Sequence, residues 1–190
     1  MYWIMLSRDI ENGDTSLLEN PDLSSVLEGK TLFWNAGQRF TVTLPEPLPF
    51  KQSIYGGNFI GDYFDPVIPV MRDSLLKTLN AAGVDNIQSW EATILTKDEK
   101  LLRGFRAINI IGLIKCADLT KSKHKVRNLD LPGGVRFRSL VIDESLTGGA
   151  LLFRLYEAPH AVLVHDSVKT KIEHSGAAGV TFEKPEKWVG

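Results

Sequence analysis

The longest apolar run in the chain, from Gly104 to Ser122, has no polar face: Phe105, Ala107, Ile108, Ile110, Ile111, Leu113 and Ile114 follow one another with Asn109 set among them. It is too apolar for a surface and far short of the roughly 20 apolar residues of a membrane helix. Phe105 to Ile114 therefore reads as a central strand buried on both faces, and a buried Asn109 needs a hydrogen-bond partner there. Helical spacing appears twice. Leu75, Leu76 and Leu79 predict a helix over Arg72 to Ala82, with Gly83 at its C-terminal cap. Val168 and Ile172 predict another over Ser167 to Ser175, capped by Asp166 and closed by Gly176.

Shorter β-type patterns surround these segments: Met1 to Leu6, Gly37 to Leu44, Ile87 to Leu95, Val135 to Asp143, Leu151 to Tyr156, Ala161 to Val164 and Val180 to Glu183. Turn signals separate them, notably Leu131-Pro132-Gly133-Gly134 and Gly148-Gly149. Arg8 to Asp22 is acidic and turn-rich. Pro45, Pro47 and Pro49 stop the strand before them and make an extended connector or an edge. Pro45 to Pro69 is the place for a hinge or subdomain boundary. The prediction is an α+β fold, a mostly antiparallel sheet with two or three helices packed on it. It divides into a β-rich N-terminal subregion, residues 1–65, and an α+β domain, residues 66–190.

Composition changes this little. At 190 residues, 43% hydrophobic and 24% charged, the chain has the makeup of an ordinary globular protein. A net charge of −1 points to neither nucleic acid nor acidic lipid as a global partner. The first residues carry no basic leader, and one cysteine, Cys116, excludes an internal disulfide. A cytoplasmic protein that does not engage membrane is the expectation.

Candidate chemistry is sparse. His160 and His165 are five apart and fall on opposite faces of a strand, which spoils a paired metal site. No zinc, calcium or phosphate-loop motif occurs, so neither metal nor cofactor is expected. His165-Asp166 resembles part of a hydrolytic triad, but no Gly-x-Ser-x-Gly elbow supplies a nucleophile and Asp166 suits the helix cap better. Cys116, at the end of an apolar run, reads as a small buried hydrophobe.

Charge is unevenly spread. Asp9, Glu11, Asp14, Glu19, Asp22 and Glu28 make the N-terminal part acidic, whereas residues 115–138 carry a basic excess. Lys121, Lys123, Lys125 and Arg127 would project from one side of an extended segment, with Arg136 and Arg138 sharing a face nearby. Such a comb suits a solvated or lysine-guarded edge, an acidic protein surface, or phosphate. The absence of interleaved aromatics weighs against nucleic acid.

Several blocks, in order, resemble the bacterial immunity proteins of polymorphic toxin systems, specifically the eleventh numbered immunity family. They are Asp73-Ser74-Leu75-Leu76-Lys77-Thr78-Leu79 with Ala82-Gly83-Val84, then Phe105-x-x-x-Asn109-Ile-Ile-Gly112, then Cys116-Ala117-Asp118-Leu119 with Ser122. Leu140-Val141-Ile142-Asp143, Leu152-Phe153-Arg154-Leu155 and Val164-His165-Asp166-Ser167-Val168-Lys169 leading to Gly179 follow. The resemblance spans about Pro66 to Phe182, with Phe105 standing where tyrosine is expected. It implies an immunity protein that neutralises a cognate toxin by direct binding, without catalysis. The basic positions Lys121, Lys123, Lys125, Arg127, Arg136 and Arg138 are the candidate contact residues. A hydrolase using His165 and Asp166, or a nucleic-acid-binding regulator using residues 115–138, are the alternatives.

Overall fold

The structure, a computed structural model, describes residues 1–7, 14–27 and 31–190. Strands β1 (Tyr2–Ser7) and β2 (Leu18–Glu19), helix α1 (Ser24–Leu27) and strands β3 (Leu48–Gln52), β4 (Tyr63–Phe64) and β5 (Val70–Arg72) come first. Helix α2 (Asp73–Ala81) leads to β6 (Ile87–Leu95), β7 (Leu101–Ile110), β8 (Leu113–Ile114), β9 (Lys123–Val126) and β10 (Val135–Ser139). Then come β11 (Leu152–Leu155), β12 (Ala158–His165), α3 (Asp166–His174) and β13 (Val180–Glu183). The fold is mixed and dominated by sheet, with few helices. Of the acidic N-terminal residues, Asp9, Glu11 and Glu28 lie outside the described residues.

The described residues form three sheets. A five-stranded sheet has the order β13-β1-β12-β11-β8, a six-stranded sheet the order β2-β3-β6-β7-β5-β4, and β9 with β10 forms a separate ribbon. Two pairs are parallel, β3 with β6 and β11 with β8, and the other pairs of named strands are antiparallel.

The core is layered by strand alternation. In β7, Ile108 and Ile110 point into one cluster with Leu75, Leu79, Leu152, Val164, Val168 and Ile172, while Phe105 and Ala107 point into another with Leu48, Phe50 and Trp34. Helices α2 and α3 thus bury their apolar stripes in a cluster to which the two large sheets contribute. The other face of the five-stranded sheet carries Ile4, Phe153, Leu155 and Leu163, which meet Val135 and Phe137 of the ribbon. Burial on both faces explains why β7, β11 and β12 read as nearly continuous apolar runs.

Three sequence expectations change. First, the Phe105 to Ile114 run is not one strand. β7 ends at Ile110, Gly112 adopts φ +125°, and the chain crosses to pair as β8 with β11 in the other sheet. Second, Gly37 to Leu44 forms no strand. Beyond the Gly112 N–H that Gly37 O accepts, side chains rather than a neighbouring strand hold its backbone: Gln88 Nε2 donates to Phe40 O at 3.0 Å, Phe40 N donates to Gln88 Oε1 at 2.7 Å, and Asn109 Nδ2 donates to Gln38 O at 2.7 Å. This gives the Nδ2 of buried Asn109 its partner, while its Oδ1 has none among the described residues. Third, the proline connector runs into a strand, since β3 includes Pro49. β2 pairs only with Lys51 and Gln52, so Pro49 lies where β3 has no partner on that side and its missing N–H costs nothing.

Gly112 sits in a backbone region that side-chain-bearing residues avoid, so Gly112→Ala should lower stability by about 1–3 kcal/mol. Gly148, at φ +60° with nothing within 4 Å of an added Cβ, serves as the control. Its alanine variant should lose only about 1 kcal/mol. Urea unfolding measures both; equal losses would mean that the crossing tolerates a side chain.

Candidate functional site

The ribbon presents its cations because its other face is buried. β10 alternates buried Val135 and Phe137 with exposed Arg136 and Arg138, and the buried pair anchors it against the five-stranded sheet. β9 is exposed at all four positions. The register sets Arg136 opposite Lys125, Phe137 opposite His124 and Val135 opposite Val126. Lys123, Lys125, Arg127, Arg136 and Arg138 line one open groove of about 1130 Å³, together with His124, His160 and Gly190. Among the described residues none of these five cations forms an ion pair.

Lys121 is placed differently. The strand begins at Lys123, and Lys121 sits in the preceding turn with its Nζ 2.8 Å from Asp118 Oδ2. The comb of Lys121, Lys123, Lys125 and Arg127 is therefore shorter than an extended segment suggested, and β10 supplies its second row. Asp118 organises this turn: Oδ1 accepts from Thr120 N at 3.1 Å, Thr120 Oγ1 at 2.6 Å and Lys121 N at 3.2 Å. Hydrogen bonds from Lys121 and Thr120 hold the Asp118 carboxyl down at about 2. Ser122 Oγ accepts from Val141 N at 2.8 Å and fixes the start of β9. The sequence signal for this, an Asp followed by Thr and Lys two and three residues on, is an Asx turn.

Asp166 does not orient His165 as the hydrolytic alternative requires. His165 itself caps α3, its ring accepting from Ser167 N at 3.3 Å with Ser167 Oγ 2.8 Å away. Asp166 lies inside the first turn rather than at the cap, and its Oδ1 accepts from Trp3 Nε1 at 2.7 Å instead of orienting the imidazole. Among the described residues no group of three or more His, Cys, Asp or Glu side chains is arranged to hold a metal. Cys116 is fully buried, and burial, with Glu157 and Asp143 nearby, pushes its thiol up to about 12.

One polar cluster escaped sequence reasoning. Arg154, 2% exposed, donates from Nη1 to Pro159 O at 2.8 Å and lies 3.9 Å from Asp65 Oδ1, while its Nε has no partner. Burial raises the Asp65 carboxyl, an effect that Arg154 opposes. Burial, then Arg154, lowers His160. An arginine inside an apolar strand signals such a pair, but not its partner.

Residues 70–187 match the model of the Imm11 immunity protein family. The matched segment is more than half of the chain, and the chain belongs to that family. No curated protein matches it. No helix among the described residues is long and apolar enough to cross a membrane.

Two outcomes follow from these geometries. Asp118 should titrate by NMR with a midpoint of about 2. Because its folded value lies below the unfolded one, its contribution is complete above the usual carboxylate range and disappears as pH falls toward that midpoint; a midpoint near 4 would refute the turn. Asp65→Ala should cost about 1–3 kcal/mol by leaving Arg154 unpaired, and adding Arg154→Met should recover part of it. Simple additivity in denaturant unfolding would show that the two do not interact.

Proposed function

We propose that this chain is the immunity partner of a bacterial toxin, neutralising it by direct protein–protein binding without catalysis, in the cytoplasm of the cell that makes both. Membership of the Imm11 family, through residues 70–187, carries this reading. A polymorphic toxin system would supply the cognate toxin. Binding asks for a rigid scaffold and a complementary surface, with a few buried anchors setting affinity and charges setting the rate of encounter.

The contact surface in this reading is the basic ribbon: Lys123, Lys125, Arg127, Arg136 and Arg138, with Lys121 at its base. Five cations without counter-ions among the described residues, on a ribbon fixed from beneath by Val135 and Phe137, favour an acidic protein partner. Residues 66–190 are the immunity-family unit in this reading. Residues 1–65 form a β-rich subregion that completes its core, a role supported by β1 lying between β12 and β13.

Co-expression with the toxin encoded beside it is the test. Cells should survive, and the two proteins should purify as a complex whose association slows as salt rises. The exposed double reversal Lys125→Glu/Arg136→Glu should cut the association rate about 10-fold to 100-fold at low salt. Cell death despite good soluble expression, with no complex recovered, would defeat the reading.

A further inference from the structure

The ribbon has one closed edge and one open edge. Phe137 and Gly190 exchange backbone bonds at 2.8 and 3.1 Å, and Leu140 N donates to Pro185 O at 3.2 Å, so the Pro185–Gly190 segment closes β10 on its far side. β9 pairs with β10 alone, and no other described strand lies along it. An unpaired strand edge is a row of free N–H and C=O groups, a ready template for another chain. Here the edge is also held in place before any partner arrives. The Asp118 turn and the Ser122 bonds to Val141 fix its start, and Arg127 N donates to Gly134 O at 2.7 Å at its end.

We propose that the β9 edge accepts an extended acidic segment of the partner as a third strand of the ribbon. The inference rests on the basic ribbon being the partner surface and specifies how that surface is used. Side chains on a strand alternate, so Lys123 and Lys125 share one face of the edge, and Arg136 lies directly across from Lys125 on that face. A strand laid beside β9 puts every second side chain next to these cations, and carboxylates at alternate positions meet them one for one. The intervening residues fall beside His124 and Val126, which suits small or branched side chains.

Charge also decides which occupants are rejected. A second copy of this chain pairing β9 to β9 would bring lysines against lysines, which opposes self-association. Nucleic acid would use the cations but leave the edge's backbone donors and acceptors unmatched. Phe137 is buried, which leaves His124 as the one exposed ring of the two strands on which a base could stack.

The test uses the full chain and a fluorescein-labelled, end-capped peptide, Glu-Val-Glu-Thr-Glu-Val-Glu-Thr, followed by fluorescence anisotropy. Binding should weaken at least 10-fold between 50 and 300 mM salt. It should weaken at least 10-fold again in the exposed Lys123→Glu/Lys125→Glu variant, with its fold checked by circular dichroism. N-methylation of alternate peptide amides, which keeps the charge but removes strand bonds, should abolish binding, and amides 123–126 should exchange hydrogen more slowly with the unmodified peptide. The proposal fails if the peptide does not bind, if the N-methylated peptide binds as well, if a twelve-residue uridine oligomer binds more tightly, or if the chain instead dimerises through β9. Toxin protection separates the levels. Protection lost in Lys123→Glu/Lys125→Glu without peptide binding overturns strand addition but leaves the basic surface standing. Protection kept in that variant overturns both.

Discussion

The fold depends on the crossing between β7 and β8, where the chain passes from one large sheet to the other. At Ile110 the strand β7 leaves the six-stranded sheet, and three residues later, at Leu113, β8 begins in the five-stranded one. The crossing is dense with backbone bonds. Gly112 N donates to Gly37 O at 2.9 Å, Gly112 O accepts from Arg154 N at 3.0 Å, and Asn86 Nδ2 bonds both Ile111 O and Leu152 O. The N-terminal segment, the start of β6, and β11 thus meet at a single point. Satisfying buried backbone groups without regular pairing demands partners from several segments at once. An added Cβ at Gly37 would fall 2.8 Å from the backbone of Gly112 and Leu113, so the close approach requires glycine on that side as well.

That crossing also marks where sequence reading stopped. Ile87–Leu95 and Val180–Glu183 appear as strands with the expected bounds, and the two main helices lie within a residue or so of their expected ranges. Their signals are local: a periodicity bounded by turn residues or a glycine cap. The Phe105 to Ile114 run carried an equally strong signal, but apolarity on both faces is the same in one sheet as in two, and only the φ of Gly112 distinguishes them. Gly37 to Leu44 has the alternation of a strand, yet Gln88 and Asn109 satisfy its backbone from a distance that no local pattern encodes. Of the proposed surface, the residues were legible as a charge excess. Their grouping was not, because it needs the β9–β10 register and the Asp118 turn that draws Lys121 aside.

The family match and the fold divide the chain at different places. The matched segment begins at residue 70, whereas β1 is the second strand of the five-stranded sheet, bonded to β12 on one side and β13 on the other. Both neighbours belong to the matched segment. Without β1 each would present an open, apolar edge, and Tyr2 and Ile4 would leave the cluster that supports the ribbon. The N-terminal strand is thereby connected to the candidate surface through packing: β1 holds the sheet, the sheet carries Val135 and Phe137, and these orient Arg136 and Arg138 outward.

A fold assembled for stability alone would not carry that surface as it stands. Lys125 and Arg136 face each other directly across two strands, an arrangement that opposes pairing, and no described carboxylate neutralises either. Like charges in such positions typically cost a few tenths of a kcal/mol to about 1 kcal/mol. The ribbon tolerates the cost because Val135 and Phe137 bury their side chains almost completely beneath it, which contributes roughly 1.5–3 kcal/mol each. Elsewhere the chain pairs its charges where they approach one another: Arg72 with Asp62, Arg106 with Asp73, Lys169 with Glu173. On the ribbon, cations with no described ion pair coincide with an unpaired backbone edge and with packing from below that removes the freedom to move away. A partner that brings carboxylates and a strand relieves both deficits at once, and the repulsion held in the free ribbon then adds to the preference for the bound state.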